Sequence, residues 1–450
     1  MRSRQLAATA AAAAVTLLTV SACAGGGSSS SSTTTTAPAA SPSANAGAIT
    51  GPVTISFDEV YDSGTLKTAM QSAVKNFEAA NPKITVSLTT YADYGALLTA
   101  ETAAVAAGKA PTIGQAYESW AQKFATSKVI VPIASLPGAS STMSTALSSF
   151  YTGVQSDLKL PDGQVWMWPF DKSLQVLFYN ATLLKAAGIT SPPTTWTQFG
   201  TDLKSASKNG VVGITIDPGN ATEGATSGEE WLEELAAANG TQVYTSNGTP
   251  QFTNPAVESA LQYLVNLKKE GALATGTNYP GETALGAKKG LVDLSSSAGY
   301  YYEQQSVGGK FPLTTTLLPA GGSGAPDEMA GANLVVFAAA SSQQQAAAWK
   351  FLQYLSGPVE QAAWSAATGY YPVTSQALTE PSMATYLKQN PWVSSTIAGL
   401  NSAIVDPPYA WVTQCGIDLS TAMSAALSGT SVSSALNSAQ SACSSAQSNG

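Results

Sequence analysis

The feature that most constrains this chain is an alternation of two hydrophobic periods beginning at residue 53. Val53, Ile55 and Phe57 alternate with Thr54 and Ser56, which predicts a strand. Leu66, Met70, Ala73 and Phe77 then recur at helical spacing until Asn81-Pro82 stops the helix. Ile84, Val86 and Leu88 predict a second strand, and residues 96–107 a second helix with Gly108 placed to cap it. Residues 111–117 (PTIGQAY) predict a third, short strand. Strand–helix–strand–helix–strand implies parallel pairing, hence a doubly wound α/β layer.

That topology has a functional consequence, because ligands of open α/β sheets sit outside the carboxyl ends of the strands. Here those ends are DEVYD (58–62), YADY (91–94) and YESW (117–120), which bring Tyr61, Tyr94, Glu118 and Trp120 to one rim. Aromatic faces beside a carboxylate suit a sugar, whose CH faces stack while its hydroxyls donate to the acid. Each residue also has a plain structural role open to it. The aromatics can close a core, and Glu118 can sit in a helix's first turn, favoured by the dipole.

A second α/β set follows. Residues 175–179 (QVLFY) predict a strand, 181–187 and 196–208 helices, and 211–216 another strand. In the helix at 229–239, Glu229, Glu230, Glu233 and Glu234 read as a solvated face, with Trp231 and Leu235 turned inward. Asn254-Pro255 opens a strong helix ending at Gly271, and residues 343–354 form another. The last fifty residues read as small Ala/Ser-rich helices.

The chain begins with Arg2 and Arg4, then an apolar, alanine-rich run at 5–20 that is too short for a membrane span. Val20-Ser21-Ala22-Cys23 resembles a bacterial lipobox, so residues 1–22 are expected to be a lipoprotein signal peptide and Cys23 a lipidated N-terminus. Residues 24–48 carry no charge and no large apolar side chain, which predicts a tether (23–49) spanning ~30 Å. This places the protein outside the cytoplasm, held to the outer face of the cell membrane.

Removing residues 1–22 leaves 18 lysines against 28 acids, a net charge of −10 without one arginine. Such a chain is a poor partner for a phosphate backbone, so no nucleic acid is expected. Histidine is absent, which excludes Ser-His-Asp and Cys-His catalysis and His-ligated metals. No cofactor motif appears, and neither a cofactor nor a metal site is expected. Cys415 and Cys443 form an even pair and predict a disulfide stapling the C-terminal helices, stabilising by roughly 3–4 kcal/mol.

Five strings in register resemble one family: GKAPTIGQAYE (108–118), WPFDKSLQVLFYN (168–180), PPTTWTQF (192–199), AGANLVVFA (330–338) and ATGYYPV (367–373). The order resembles the substrate-binding lipoproteins of ABC importers, in their sugar and glycerol-phosphate branch. The resemblance covers most of residues 52–430. It implies a periplasmic-binding-protein-like fold of two lobes, each a doubly wound sheet flanked by helices, closing about a hinge. The expected division is 50–172 and 332–385 for the N-lobe, 173–331 and 386–450 for the C-lobe. Crossings are expected near 172–177, 332–337 and 385–393.

By the same resemblance the ligand contacts are Tyr94, Glu118, Ser173, Ser297 (with Ser296 nearly as good), Gly331 and Tyr370. Trp120, Tyr300 and Trp411 are further aromatic candidates. The family's glycerol-phosphate binders use an arginine near what are here residues 414–418 (QCGID), and the chain beyond residue 22 has none. A guanidinium's planar fork is not replaced by general polarity. Lys172 is the alternative point charge, although a solvated hinge lysine is the favoured reading.

The expected function is therefore capture of a neutral carbohydrate by a monomer that delivers it to an ABC permease, without catalysis. A glycerol-3-phosphate or glycerophosphodiester binder is the alternative. A secreted glycoside hydrolase would need two carboxylates ~5–9.5 Å apart. Glu118 with Asp58, Glu59, Asp62 or Asp93 leaves that open, but no hydrolase motif accompanies them.

Overall fold

The computed structural model describes residues 48–219, 228–319 and 327–449. The leader at 1–22, Cys23 and most of the 23–49 tether lie outside those residues.

Among the described residues the strands are β1 (Val53–Glu59), β2 (Ile84–Thr90), β3 (Ile113–Ala116) and β4 (Trp168–Pro169). β5 (Ser173–Asn180), β6 (Val212–Ile216), β7 (Leu273–Thr275) and β8 (Gly290–Ser296) follow. β9 (Leu313–Thr316), β10 (Met329–Ala330) and β11 (Asn333–Val336) are the last.

The first sheet has the order β2-β1-β3-β11-β4. β1 runs parallel to both β2 and β3, with Ile55 opposite Val86 and Phe57 opposite Ile113. The helix between β1 and β2, Gly64–Ala80, buries Met70, Ala73, Val74 and Phe77 and stops at Asn81. Its successor, Tyr94–Ala106, starts earlier than hydrophobic spacing indicates. Asp93 caps it, its carboxylate accepting from the Ala96 N–H at 2.7 Å. β11 closes the sheet antiparallel to β3 and β4.

The second sheet has the order β10-β5-β8-β6-β7, with β9 also on β5. Every residue of β5 is buried, because the strand has neighbours on both edges. That is why it reads as one apolar run and not as an alternation. The C-terminal helices Val412–Leu427 and Val432–Asn449 pack on this half and are joined by the Cys415–Cys443 disulfide.

The two sheets are joined by short crossings. The chain leaves the first at Pro169 and enters the second at Ser173, then returns between Ala330 and Asn333. The crossings lie directly on one another at Gly331. Its φ is +93°, and a Cβ there would lie 1.8 Å from the Asp171 carbonyl oxygen, so only glycine fits. A third segment joins them, the Tyr371 N–H donating to the Lys172 carbonyl at 2.7 Å. Among the described residues no helix is long and apolar enough to cross a membrane.

Candidate ligand-binding cleft

A cavity of about 150 Å³ opens where the two sheets meet. That is some ten times the ~10–15 Å³ a single water needs, room for a small polar molecule. The first sheet supplies Tyr94, Tyr117, Glu118 and Ser119, all following the carboxyl ends of β2 and β3. The crossings supply Ser173, Gln175 and Gly331, and the loop after the helix Pro358–Thr368 supplies Tyr370. A broader hollow of about 460 Å³ beside Gly276 and Lys289 has neither an aromatic residue nor a carboxylate in its wall.

Beneath the first-sheet wall lies a buried polar network. Asp171 is fully buried, and its Oδ2 accepts from Tyr61 Oη (2.8 Å), Gln115 Nε2 (3.0 Å) and Tyr94 Oη (3.2 Å). Burial nevertheless pushes its carboxyl up to about 7, against the opposing pull of the Tyr61 hydrogen bond and Lys172. Tyr94 is thereby held with its ring at the cavity and its hydroxyl tied to the hinge.

Lys172 is 1% exposed, so it is not the solvated hinge lysine that the sequence suggests. Its Nζ lies 2.7 Å from Asp157 Oδ2 and 3.8 Å from Glu118 Oε1, and donates to the Gly331 carbonyl at 2.8 Å. Asn333 Nδ2 donates to both acids, at 2.7 Å and 3.0 Å. Burial drives both carboxyls up. In Asp157, Lys172 and the donors around it outweigh that effect and hold the group ionised. In Glu118 burial and the Asp157 charge win, so Glu118 keeps its proton and shares it with Asp157. The ammonium is thus consumed by the hinge and is not available to an anionic ligand.

The second-sheet wall departs most from expectation. Glu229, Glu230 and Glu233, read from sequence as a solvated face, line the cavity, and Glu233 and Glu234 are 6% and 1% exposed. Their helix, Gly228–Ala238, is buried on several sides at once, against the helices Pro255–Lys269 and Val412–Leu427. Glu328 and Asp406 join them on the wall. Burial, then repulsion from neighbouring acids, raises the carboxyls of Glu230, Glu233 and Glu328 well above the usual range.

The structure brings Tyr94, Glu118, Ser173, Gly331 and Tyr370 to one cavity and leaves four sequence candidates outside it. Trp120 is 2% exposed and packs edge-on against Tyr94 and Tyr117, a support behind the wall. Tyr300 packs against Phe178 and Trp392 and donates to Asn390 Oδ1 at 2.7 Å. Trp411 stacks on Tyr409 and donates to the Gly248 carbonyl at 3.1 Å. Ser297 is 1% exposed, and it is Ser296 that lines the cavity, donating to Ser173 Oγ at 2.9 Å. Ser296 is the last residue of β8, whereas Ser297 begins a short 3-10 turn in which its hydroxyl accepts from the Leu174 N–H at 3.4 Å.

Sequence reasoning missed Tyr117, Gln175 and Tyr244, which also line the cavity. Tyr117 was legible, as it stands at the end of β3 beside Glu118. Gln175 lies within an apolar strand, and Tyr244 in a loop with no motif, so neither carried a signal. Where the family's arginine is expected, Gly416 and Ile417 face the cavity, while Gln414 donates to Asp418 at 3.2 Å.

Residues 72–391 match the family described as bacterial extracellular solute-binding protein. The chain is similar to the sn-glycerol-3-phosphate-binding periplasmic protein UgpB of Yersinia pestis, 27% identical over 377 residues, covering 78% of this chain and 80% of that protein. Among solved structures it is similar to the cyclic alpha-maltosyl-1,6-maltose binding protein from Arthrobacter globiformis, with a TM-score of 0.75 at 21% identity over 89% of this chain and 100% of that one. It is similar too to UgpB from Mycobacterium tuberculosis in complex with glycerophosphocholine, with a TM-score of 0.76 at 19% identity over 89% and 99%. At these identities the structural likeness shows the fold.

Proposed function

The chain belongs to the bacterial extracellular solute-binding proteins, and from that premise we propose that it captures an uncharged carbohydrate, a sugar, oligosaccharide or polyol, for an ABC importer. The observation that carries this reading is the cavity wall itself. Four tyrosines, Tyr94, Tyr117, Tyr244 and Tyr370, supply flat faces, and the polar groups between them are carboxyls, hydroxyls and the Gln175 amide, with no cation among the described residues of the wall. Hydroxyls of a sugar donate to such acceptors while its CH faces stack on the rings. A phosphate ester would instead meet acids, with the nearest ammonium already paired to Asp157. The solved relatives that bind maltose-type oligosaccharides support the reading by likeness of fold.

Residues from both sheets and both crossings line the cavity, so ligand stabilises the closed arrangement, which the permease then recognises. The acids serve as hydrogen-bond partners for the ligand's hydroxyls, with no step of catalysis assigned to them. Neutral sugars and polyols are expected to raise the melting temperature, while glycerol-3-phosphate and glycerophosphocholine leave it unchanged. Stabilisation by the phosphate compounds alone would overturn this assignment.

Tyr370 lies against Trp364 with ring centroids 6.0 Å apart and faces the cavity. Replacing Tyr370 by alanine is expected to weaken sugar binding by about 1–2 kcal/mol, roughly five- to thirtyfold in Kd. Calorimetry on the folded variant reads this directly, and an unchanged Kd moves the ligand elsewhere.

Anchoring through a lipidated Cys23 is part of the same proposal, supported by the lipobox-like VSAC at 20–23. Cys23→Ser is expected to shift the protein from the membrane fraction to the soluble fraction of expressing cells. Retention in the membrane fraction would reject the anchor.

A further inference from the structure

We propose that Gln175 sets which hydroxylated ligand the cleft accepts, its carboxamide oxygen taking the hydrogen of one ligand hydroxyl. The proposal deepens the carbohydrate reading and rests on it. Gln175 lines the cavity and is 1% exposed, and its Oε1 has no hydrogen-bond partner in the protein. A buried carbonyl oxygen left without a donor is a standing cost to the fold, and a ligand hydroxyl removes it.

The other buried glutamines among the described residues show the contrast. Gln115, 0% exposed, accepts from the Val60 N–H at 2.9 Å and donates to Tyr61 Oη and Asp171 Oδ2. Gln361, equally buried, accepts from the Val373 N–H at 2.8 Å and donates to the Phe170 and Leu355 carbonyls. In both, oxygen and nitrogen are spent on the fold, and neither residue borders the cavity. Gln175, which does, keeps its oxygen unspent.

Strand geometry fixes where the amide points. Along β5, Leu174 and Val176 turn to the apolar core, whereas Ser173 and Gln175 share the face that borders the cavity. Ser173 Oγ already accepts from Ser296 at 2.9 Å. The Gln175 N–H donates to the Glu328 carbonyl at 3.0 Å, and the residue stands opposite Ser296 in the pairing of β5 with β8. A strand held on both edges positions a reading group more closely than a loop does. The amide also differs from the carboxyls of the same wall, since it keeps its acceptor and its donors at every pH. Such a buried group discriminates by what it loses. An analogue lacking the matching hydroxyl leaves it unpaired, a far larger penalty than an equal change in apolar contact.

The test uses the purified full chain and begins with a thermal panel of glucose, galactose, maltose, trehalose and sorbitol. The compound that stabilises most is then titrated by calorimetry beside its singly deoxygenated analogues. In the wild type one analogue is expected to bind at least about tenfold more weakly than its parent. Gln175→Met keeps a side chain of similar length and removes the amide. It is expected to weaken the parent at least about tenfold and to bring parent and that analogue within about twofold of each other. Without ligand its melting temperature is expected to equal or exceed that of the wild type, because an unpaired amide has given way to an apolar chain. Should Gln175→Met fail to fold, Gln175→Asn, which withdraws the same oxygen by one methylene, is expected to collapse the same preference. A preference for the parent that survives in the folded variant overturns this assignment and leaves the carbohydrate reading standing. A wild type that none of the panel stabilises overturns both together.

Discussion

Lys172→Met is expected to lower the free energy of unfolding by about 3–5 kcal/mol, the usual consequence of deleting one partner of a buried ion pair. Three acceptors lose their donor at once: Asp157 at 2.7 Å, the Gly331 carbonyl at 2.8 Å and, more weakly, Glu118 at 3.8 Å. Asp157 is 3% exposed and has no water to replace the ammonium. Methionine fills similar space, so the loss is electrostatic and not a cavity. The double variant Lys172→Met/Asp157→Asn should recover part of the loss, because it removes the stranded charge. Urea unfolding measures both, as a shift of midpoint at constant slope. A loss below about 1 kcal/mol would mean that the pair is hydrated and that the hinge does not depend on it.

The same residues show how far the sequence could be read. The first α/β layer was legible because β1, β2 and their helices each have one face on a core, and one-sided burial writes itself as a period. Tyr94 and Glu118 line one cavity, in keeping with the rule that parallel strands deliver their ends to a common edge. Lys172 and the run Glu229, Glu230, Glu233, Glu234 were misread for a common reason. A charged side chain on a helix or crossing is read as solvated unless its neighbours are known, and these lie elsewhere in sequence: Asp157 pairs with Lys172, and the Glu328 backbone packs on Glu234. Trp120, Tyr300 and Trp411 illustrate the converse. Aromatic rings near a rim are as useful behind the wall as on it, and spacing does not tell which. Gly331 was expected only as a ligand contact, and the fold requires glycine there for a further cause. It is needed where two crossings touch, at Asp171, as well as beside the cavity.

Stability is expected to fall as pH rises from 5 to 8, and Asp171→Asn is expected to remove one group's share of that slope, the rest coming from other buried acids such as Asp293 and Asp327. The folded carboxyl titrates near 7 because burial disfavours its charge, whereas the unfolded one titrates near 3.8. Between those values the folded chain binds a proton that the unfolded chain has already released, so raising pH favours unfolding. Below 3.8 both states are protonated and above 7 both are ionised, so the slope from this group vanishes at each end. A window of that width corresponds to roughly 4 kcal/mol. Tyr61, Tyr94, Tyr370 and Lys172 are the groups around it. The three phenols are pushed up, by burial first, and stay protonated throughout the window, so they add no slope of their own. Lys172 is held charged by Asp157 and Glu118 against its own burial and is equally silent. Asparagine keeps an oxygen where Tyr61, Tyr94 and Gln115 donate, and places its amide where Oδ1 now has no partner. The variant should therefore match the wild type near pH 5 only to within the cost of that idle amide, and exceed it at pH 8. Urea midpoints at half-unit steps decide the matter. Parallel profiles for the two proteins would mean that Asp171 is ionised in the fold across the whole range, with its three donors outweighing its burial.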